Sequence, residues 1–106
     1  MIVRTWRCRP HAEQVEAYYD YLTGVVFAGL RKIAGHRGAQ LLRREADGQV
    51  EFVAVSYWDT VAAIKEYAGE NIDLAMVKPE ARLMLAWFDE AVHHYDLLTS
   101  TGEARP

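Results

Sequence analysis

Two adjacent histidines, His93 and His94, stand in a strand-like stretch from Ala91 to Leu98. Successive strand residues point to opposite faces, so the two imidazoles cannot grip one metal ion, and one of them must face the interior. An imidazole there is a general base for a phenol or an activated C–H; tied to backbone or carboxylate partners, it is structural. Trp58 closes an apolar run that begins at Phe52. Its indole offers a flat wall to an aromatic ligand and an N–H for a carbonyl or an oxygen anion. The same residue also suits a plain core at a strand end. Trp6, Tyr18 and Tyr67 either line that space or pack at strand and helix spacing. Arg82 offers a cation to an anionic substrate group, and a surface pair with Glu80 or Glu90 is its plainer reading.

Other chemistries find no support. His11 and His36 add no ligand spacing, and neither H-E-x-x-H nor C-x-x-C occurs, so no metal site is expected. Ser56 lacks a G-x-S-x-G elbow, and no glycine-rich phosphate cradle is present. Asp59 reads as a helix cap, and Asp89 with Glu90 as neighbours in a turn rather than a tuned pair. Cys8 is the only cysteine, which removes any internal disulfide framework and points to a reducing, cytoplasmic setting. The formal charge is -3, and Arg4, Arg7, Arg9, Arg43 and Arg44 are interleaved with Glu13, Glu16 and Glu45. That pattern is a solvated face, so neither nucleic acid nor an anionic membrane is expected as partner. No signal peptide and no apolar run of about 18 residues appears, which predicts a chain neither secreted nor membrane-spanning.

The elements that must position these residues follow from periodicity. Ile2 to Cys8 reads as a first strand. Pro10 presets a helix in which Val15, Tyr18, Tyr19 and Leu22 share one side, and Gly24 is its expected end. Val25 to Ile33 reads as a loop with a short helical piece. Ala39 to Ala46 and Gln49 to Tyr57 form a hairpin around Asp47-Gly48. A helix from Thr60 to Ala68 stops at Gly69, and a turn falls near Asp73 to Val77. Pro79 opens another helical piece reaching Leu85 or Ala86, Ala91 to Leu98 is a last strand, and residues 99–106 form a polar tail beyond a single domain of residues 1–98. The order β-α-β-β-α-β predicts an α+β, ferredoxin-like antiparallel sheet with helices on one face. With 51% hydrophobic residues in 106 positions, the other face calls for a cover, and a second copy of the chain supplies one.

The stretch FVAVSYWDTVAAIKEYAGENI followed by PEARLMLAWFDEAVHHYDLL, together with IVRTWRC and GHRGAQLLRRE, resembles the antibiotic biosynthesis monooxygenase family of dimeric α/β-barrel proteins. The likeness covers nearly the whole chain. It implies a homodimer whose sheets close into a barrel, with a cavity in each subunit between helices and sheet. Members of the superfamily differ in chemistry: some oxidise polycyclic aromatics with dioxygen and no metal, flavin or haem, some degrade haem, and some isomerise or decarboxylate small rings. The haem-degrading branch uses a first-strand asparagine, a tryptophan ending the third strand and a histidine from the helical region that follows. Trp58 falls on the tryptophan position, but the first strand offers Trp6 and Arg7 instead of asparagine, and residues 71–78 hold no histidine. No haem or other cofactor is therefore expected. The quinone-forming branch pairs its tryptophan with an asparagine earlier in the strand, and here that strand has none. The resemblance thus implies a cofactor-independent, monooxygenase-like oxidoreductase acting on a small hydrophobic or aromatic substrate. Trp58 and His94 are its candidate catalytic residues, with Trp6, Tyr18, Tyr67 and Arg82 as candidate substrate contacts. The alternative is a non-catalytic dimer that holds a small molecule or haem in the same cavity.

Overall fold

In the computed structural model, which describes residues 1–103, five strands form one antiparallel sheet: β1 (Ile2–Pro10), β2 (His36–Ala46), β3 (Gln49–Trp58), β4 (Leu85–Phe88) and β5 (His93–Asp96). Positions 104–106 of the expected polar tail lie outside the described residues. The spatial order is β2-β3-β1-β4, and β5 also pairs with β1. That is the ferredoxin-like α+β plan, with its last strand divided. β5 takes the Ile2–Thr5 end of β1 and β4 takes the Cys8–Pro10 end. The hairpin between β2 and β3 turns on Asp47 (φ 55°) and Gly48 (φ 75°), the positive values that a two-residue turn of matching twist requires.

The first helical segment is longer than the sequence predicts. It runs from a 3-10 turn (Ala12–Gln14) into α1 (Val15–Tyr21), through a π-helical stretch (Leu22–Phe27), into α2 (Ala28–Leu30). Gly24 does not end it. Leu22 and Leu30 are both buried, with Val26 and Phe27 packed against the cores, and that burial carries the helix across a residue of poor propensity. α3 (Val61–Ala68) closes at Gly69 as expected, with φ 82° and its N–H on the Lys65 carbonyl at 2.9 Å. Its cap, however, is Thr60, whose hydroxyl accepts from the Ala63 N–H at 3.1 Å. Asp59 is occupied by Arg37, which reaches it through Nε at 2.9 Å and Nη2 at 2.6 Å. α4 (Pro79–Arg82) is only four residues long. Leu85 and Ala86, read as helical from sequence, belong to β4, because the free edge of β1 offers backbone partners that local propensity cannot match.

Alternation along the strands divides the side chains between two faces. On the helix side lie two apolar clusters. Cys8, Tyr18, Leu22, Phe52, Ala81 and Leu85 make the first, and Leu30, Trp58, Ala63, Ile64 and Ala68 the second. The opposite face carries Val3, Leu42, Val53, Tyr57 and Tyr95, with Leu42 and Tyr95 more than half exposed. Its one sealed charge is Glu51, 1% exposed beneath Arg9 Nε at 3.0 Å and Arg44 Nε at 2.9 Å.

Candidate functional site

Between the two apolar clusters runs a polar row. Arg4 on β1 stands opposite Ser56 on β3 and opposite His94 on β5. Its same-face neighbours in β1, Ile2 and Trp6, pack on the second and first clusters respectively. Arg4 is 8% exposed, so it is not part of the solvated face that sequence assigned it to. Its alternation partners Ile2, Trp6 and Cys8 are all apolar, and that was the available signal of an inward arginine.

The row is wired by hydrogen bonds. Arg4 Nη1 donates to the Ile72 carbonyl at 2.8 Å and meets His94 Nε2 at 2.9 Å. A guanidinium only donates, so Nε2 is the bare nitrogen of a neutral imidazole, and Nδ1–H is left to donate to Asp73 Oδ1 at 3.0 Å. Burial pushes the His94 pKa down and the Arg4 charge pushes the same way, against the opposing pull of Asp73. Burial also lowers the Arg4 pKa, with Tyr67 and Asp73 acting against it. His93 faces the opposite way, more exposed, 3.9 Å from Asp89.

Trp58 is completely buried, and its Nε1–H is already spent on Ser56 Oγ at 2.8 Å. Tyr67, at the end of α3, stacks on its ring at 6.4 Å and places its own ring 6.0 Å from the Arg4 guanidinium carbon. Burial raises the Tyr67 pKa, with Arg4 pulling it down. His36, opposite Trp58 in the β2–β3 register, meets the indole edge-on at 5.0 Å. Its Nε2 is sealed from solvent with no hydrogen-bond partner, and burial lowers its pKa. Sequence gave no signal of this atom's isolation.

So Trp58, Tyr67 and His94 come together through Arg4, while the other candidates go elsewhere. Tyr18 is sealed in the first cluster, stacked on Phe52 at 6.5 Å, with burial raising its pKa. Cys8 beside it has its thiol pushed up to about 12 by burial, so it is inert at neutral pH. Trp6 donates Nε1–H to the Asp89 carbonyl at 2.7 Å and leans on Phe88. Arg82 pairs with neither Glu80 nor Glu90: its Nε reaches the Val77 carbonyl at 3.3 Å, and its guanidinium lies 5.4 Å over the Phe88 ring.

Two open clefts lie away from the polar row. One, of about 290 Å³, sits between α1 and β2 against Val15, Tyr19, Leu41, Arg43 and Phe52. The other, of about 370 Å³, opens on the uncovered sheet face beside Thr5, Arg7, Val53, His93 and Tyr95. Among the described residues, no three His, Cys, Asp or Glu side chains are placed to hold a metal ion. Among the described residues, no helix is long and apolar enough to cross a membrane.

Residues 1–78 match the family model described as antibiotic biosynthesis monooxygenase. Among curated proteins, none matches the chain. Solved structures similar to it include Rv0793 from Mycobacterium tuberculosis, with 19% identity, a TM-score of 0.68, and coverage of 95% of this chain and 98% of that one. SO0527 from Shewanella oneidensis has 18% identity and a TM-score of 0.67, covering 89% and 87%. PA3566 from Pseudomonas aeruginosa has 17% identity and a TM-score of 0.67, covering 92% and 94%. At these identities the likeness establishes the fold.

Proposed function

The chain belongs to the antibiotic biosynthesis monooxygenase family, and from that premise we propose that it is a small homodimeric oxidoreductase that oxidises an aromatic substrate with dioxygen and no cofactor. The observation that supports the reading is a neutral, part-buried His94 held between Arg4 and Asp73, next to the stacked Tyr67–Trp58 pair. A base must be unprotonated to act, and the lowered pKa of His94 keeps it so at neutral pH. His94 Nε2 exchanges its Arg4 hydrogen bond for the substrate's acidic C–H and takes that proton. The ring system delocalises the pair left behind, which reduces dioxygen; overall a CH2 group and O2 become C=O and H2O. The protein's contribution is positioning and exclusion of water, for which Tyr67, backed by the buried Trp58 ring, provides the aromatic surface.

The second copy covers Val3, Leu42, Val53, Tyr57 and Tyr95, an apolar face too broad for a chain of this size to leave wet. A cytoplasmic setting suits a lone, buried, unpaired Cys8. Oxygen uptake by the purified protein with an anthrone, whose acidic CH2 becomes the new C=O, lost in His94→Ala, is the test. Absence of uptake with the anthrone refutes the enzymatic reading.

One observation favours a second reading, a dimer that binds a small molecule without turnover. The Trp58 N–H and both His94 nitrogens already have partners inside the chain. Haemin titration separates one form of it: a Soret shift saturating at one haem per chain, and abolished in His94→Ala, identifies a haem-binding protein.

A further inference from the structure

We infer that Arg4 binds an anionic oxygen of the ligand, so that the molecule accepted here is an aromatic carrying a carboxylate or an ionised hydroxyl. The inference rests on the polar row being the ligand site, and it concerns binding alone. Arg4 is 92% removed from solvent by its 8% exposure, yet both of its hydrogen-bond partners, the Ile72 carbonyl and the neutral His94 ring, are uncharged. Among the described residues no carboxylate lies within 4.0 Å of its guanidinium, whereas Arg7, Arg9, Arg37 and Arg44 each have one. Asp73 is an imidazole away, and its side chain is 78% exposed, so its charge is largely spread into water. A buried cation without a contact counterion is costly, and it marks a place where an anion is more stable than water.

The guanidinium keeps one edge that its internal partners do not use. Both Arg4 contacts use Nη1, so among the described residues Nε and Nη2 have no partner. Those two nitrogens form the side of the planar fork that receives a carboxylate in two parallel hydrogen bonds. The Arg4 guanidinium lies over the ring of Tyr67, a residue 44% exposed whose ring stacks in turn on Trp58. An aromatic ring attached to the anion displaces or stacks on Tyr67 while its oxygen meets Arg4. A purely structural Arg4, stapling β1 to the segment around Ile72, would give no such charge preference.

The test is calorimetric titration of the full chain with 1-naphthoate and with its neutral counterpart 1-naphthamide, and in parallel with 2,4-dinitrophenolate and 2,4-dinitroanisole. At least one anion is expected to bind roughly tenfold or more tightly than its neutral partner, as charge-assisted hydrogen bonds dictate. The first pair reports a carboxylate ligand and the second an ionised hydroxyl. The preference should vanish in Arg4→Gln and persist in part in Arg4→Lys. Should Arg4→Gln fail to fold, the Arg4 Nε–H resonance of the wild-type protein decides: it moves on adding the preferred anion and stays put with the neutral partner. Equal affinities within both pairs, no binding of either anion, or a preference surviving in Arg4→Gln overturns the inference. None of the four probes is a substrate for the proposed oxidation, so a failure to consume oxygen leaves this result intact.

Discussion

Removing one hydroxyl from the polar row tests whether Trp58 is anchored or available. Trp58 has no exposed surface, its Nε1–H donates to Ser56 Oγ at 2.8 Å, and Ser56 is itself 8% exposed. In Ser56→Ala the indole N–H keeps its burial and loses its acceptor. The loss is then the desolvation cost of a stranded donor, about 1–3 kcal/mol, rather than the smaller net value of an exchanged hydrogen bond. Taking about 2 kcal/mol against a total of roughly 5–15 kcal/mol, the variant folds but is visibly weakened. In urea, with a slope of about 2 kcal/mol per molar, the midpoint should fall by roughly 1 M with the slope unchanged. Tryptophan fluorescence at fixed protein concentration is the assay, because association of copies would otherwise shift the midpoint. Trp58→Phe and the double variant complete a cycle, and the coupling between the two sites should exceed about 0.5 kcal/mol. A midpoint unmoved by Ser56→Ala would show that the indole N–H has another acceptor and is not held by Ser56.

Gly35 has φ 93°, and a β-carbon there would sit 2.8 Å from the Ala63 β-carbon, so Gly35→Ala should cost about 2 kcal/mol or more by thermal unfolding. An unchanged melting temperature would mean that the approach of this turn to α3 is looser than described. Thr60→Ala should lose about 1 kcal/mol of cap energy, and Asp59→Ala, which breaks only an exposed pair with Arg37, should matter less. Reversal of that order in urea titrations would return the cap to Asp59. His94 has its pKa lowered from 6.5 in the folded state, so the unfolded chain binds the extra proton more readily. The stability this contributes is complete above about pH 6.5 and disappears as the pH falls through the folded-state value. His36 acts in the same direction. Urea midpoints between about pH 7.5 and 5.5 should therefore fall less in His94→Gln than in wild type, and parallel curves would contradict it.

Local signals were reliable wherever they matched the tertiary demand. The Asp47-Gly48 turn, the apolar β3 run ending at Trp58 and the helix stopping at Gly69 were all readable from spacing. Gly24 and the Pro79 segment misled, because burial of Leu30 and pairing with β1 outweigh propensity, and neither is visible in a local window. At the site, Trp58 and His94 were singled out for their chemistry, but their partners were not. Ser56 and Asp73 are distant in sequence from what they hold, or unremarkable in type, and Arg4 sits among charged neighbours in sequence while only its alternation with Ile2, Trp6 and Cys8 marks it as inward.

The divided edge of the sheet has a consequence for life in a crowded solution. β4 and β5 are four residues each, separated by Asp89–Val92, in which the Glu90 carbonyl and the Val92 N–H are already committed to the Ala75 N–H and the Asp73 carbonyl. A stray strand from another molecule would find no continuous ladder to extend there, only two short rungs with a spent gap between them. The interruption is a built-in safeguard against runaway polymerisation along that margin, and a single unbroken strand replacing it would forfeit that protection.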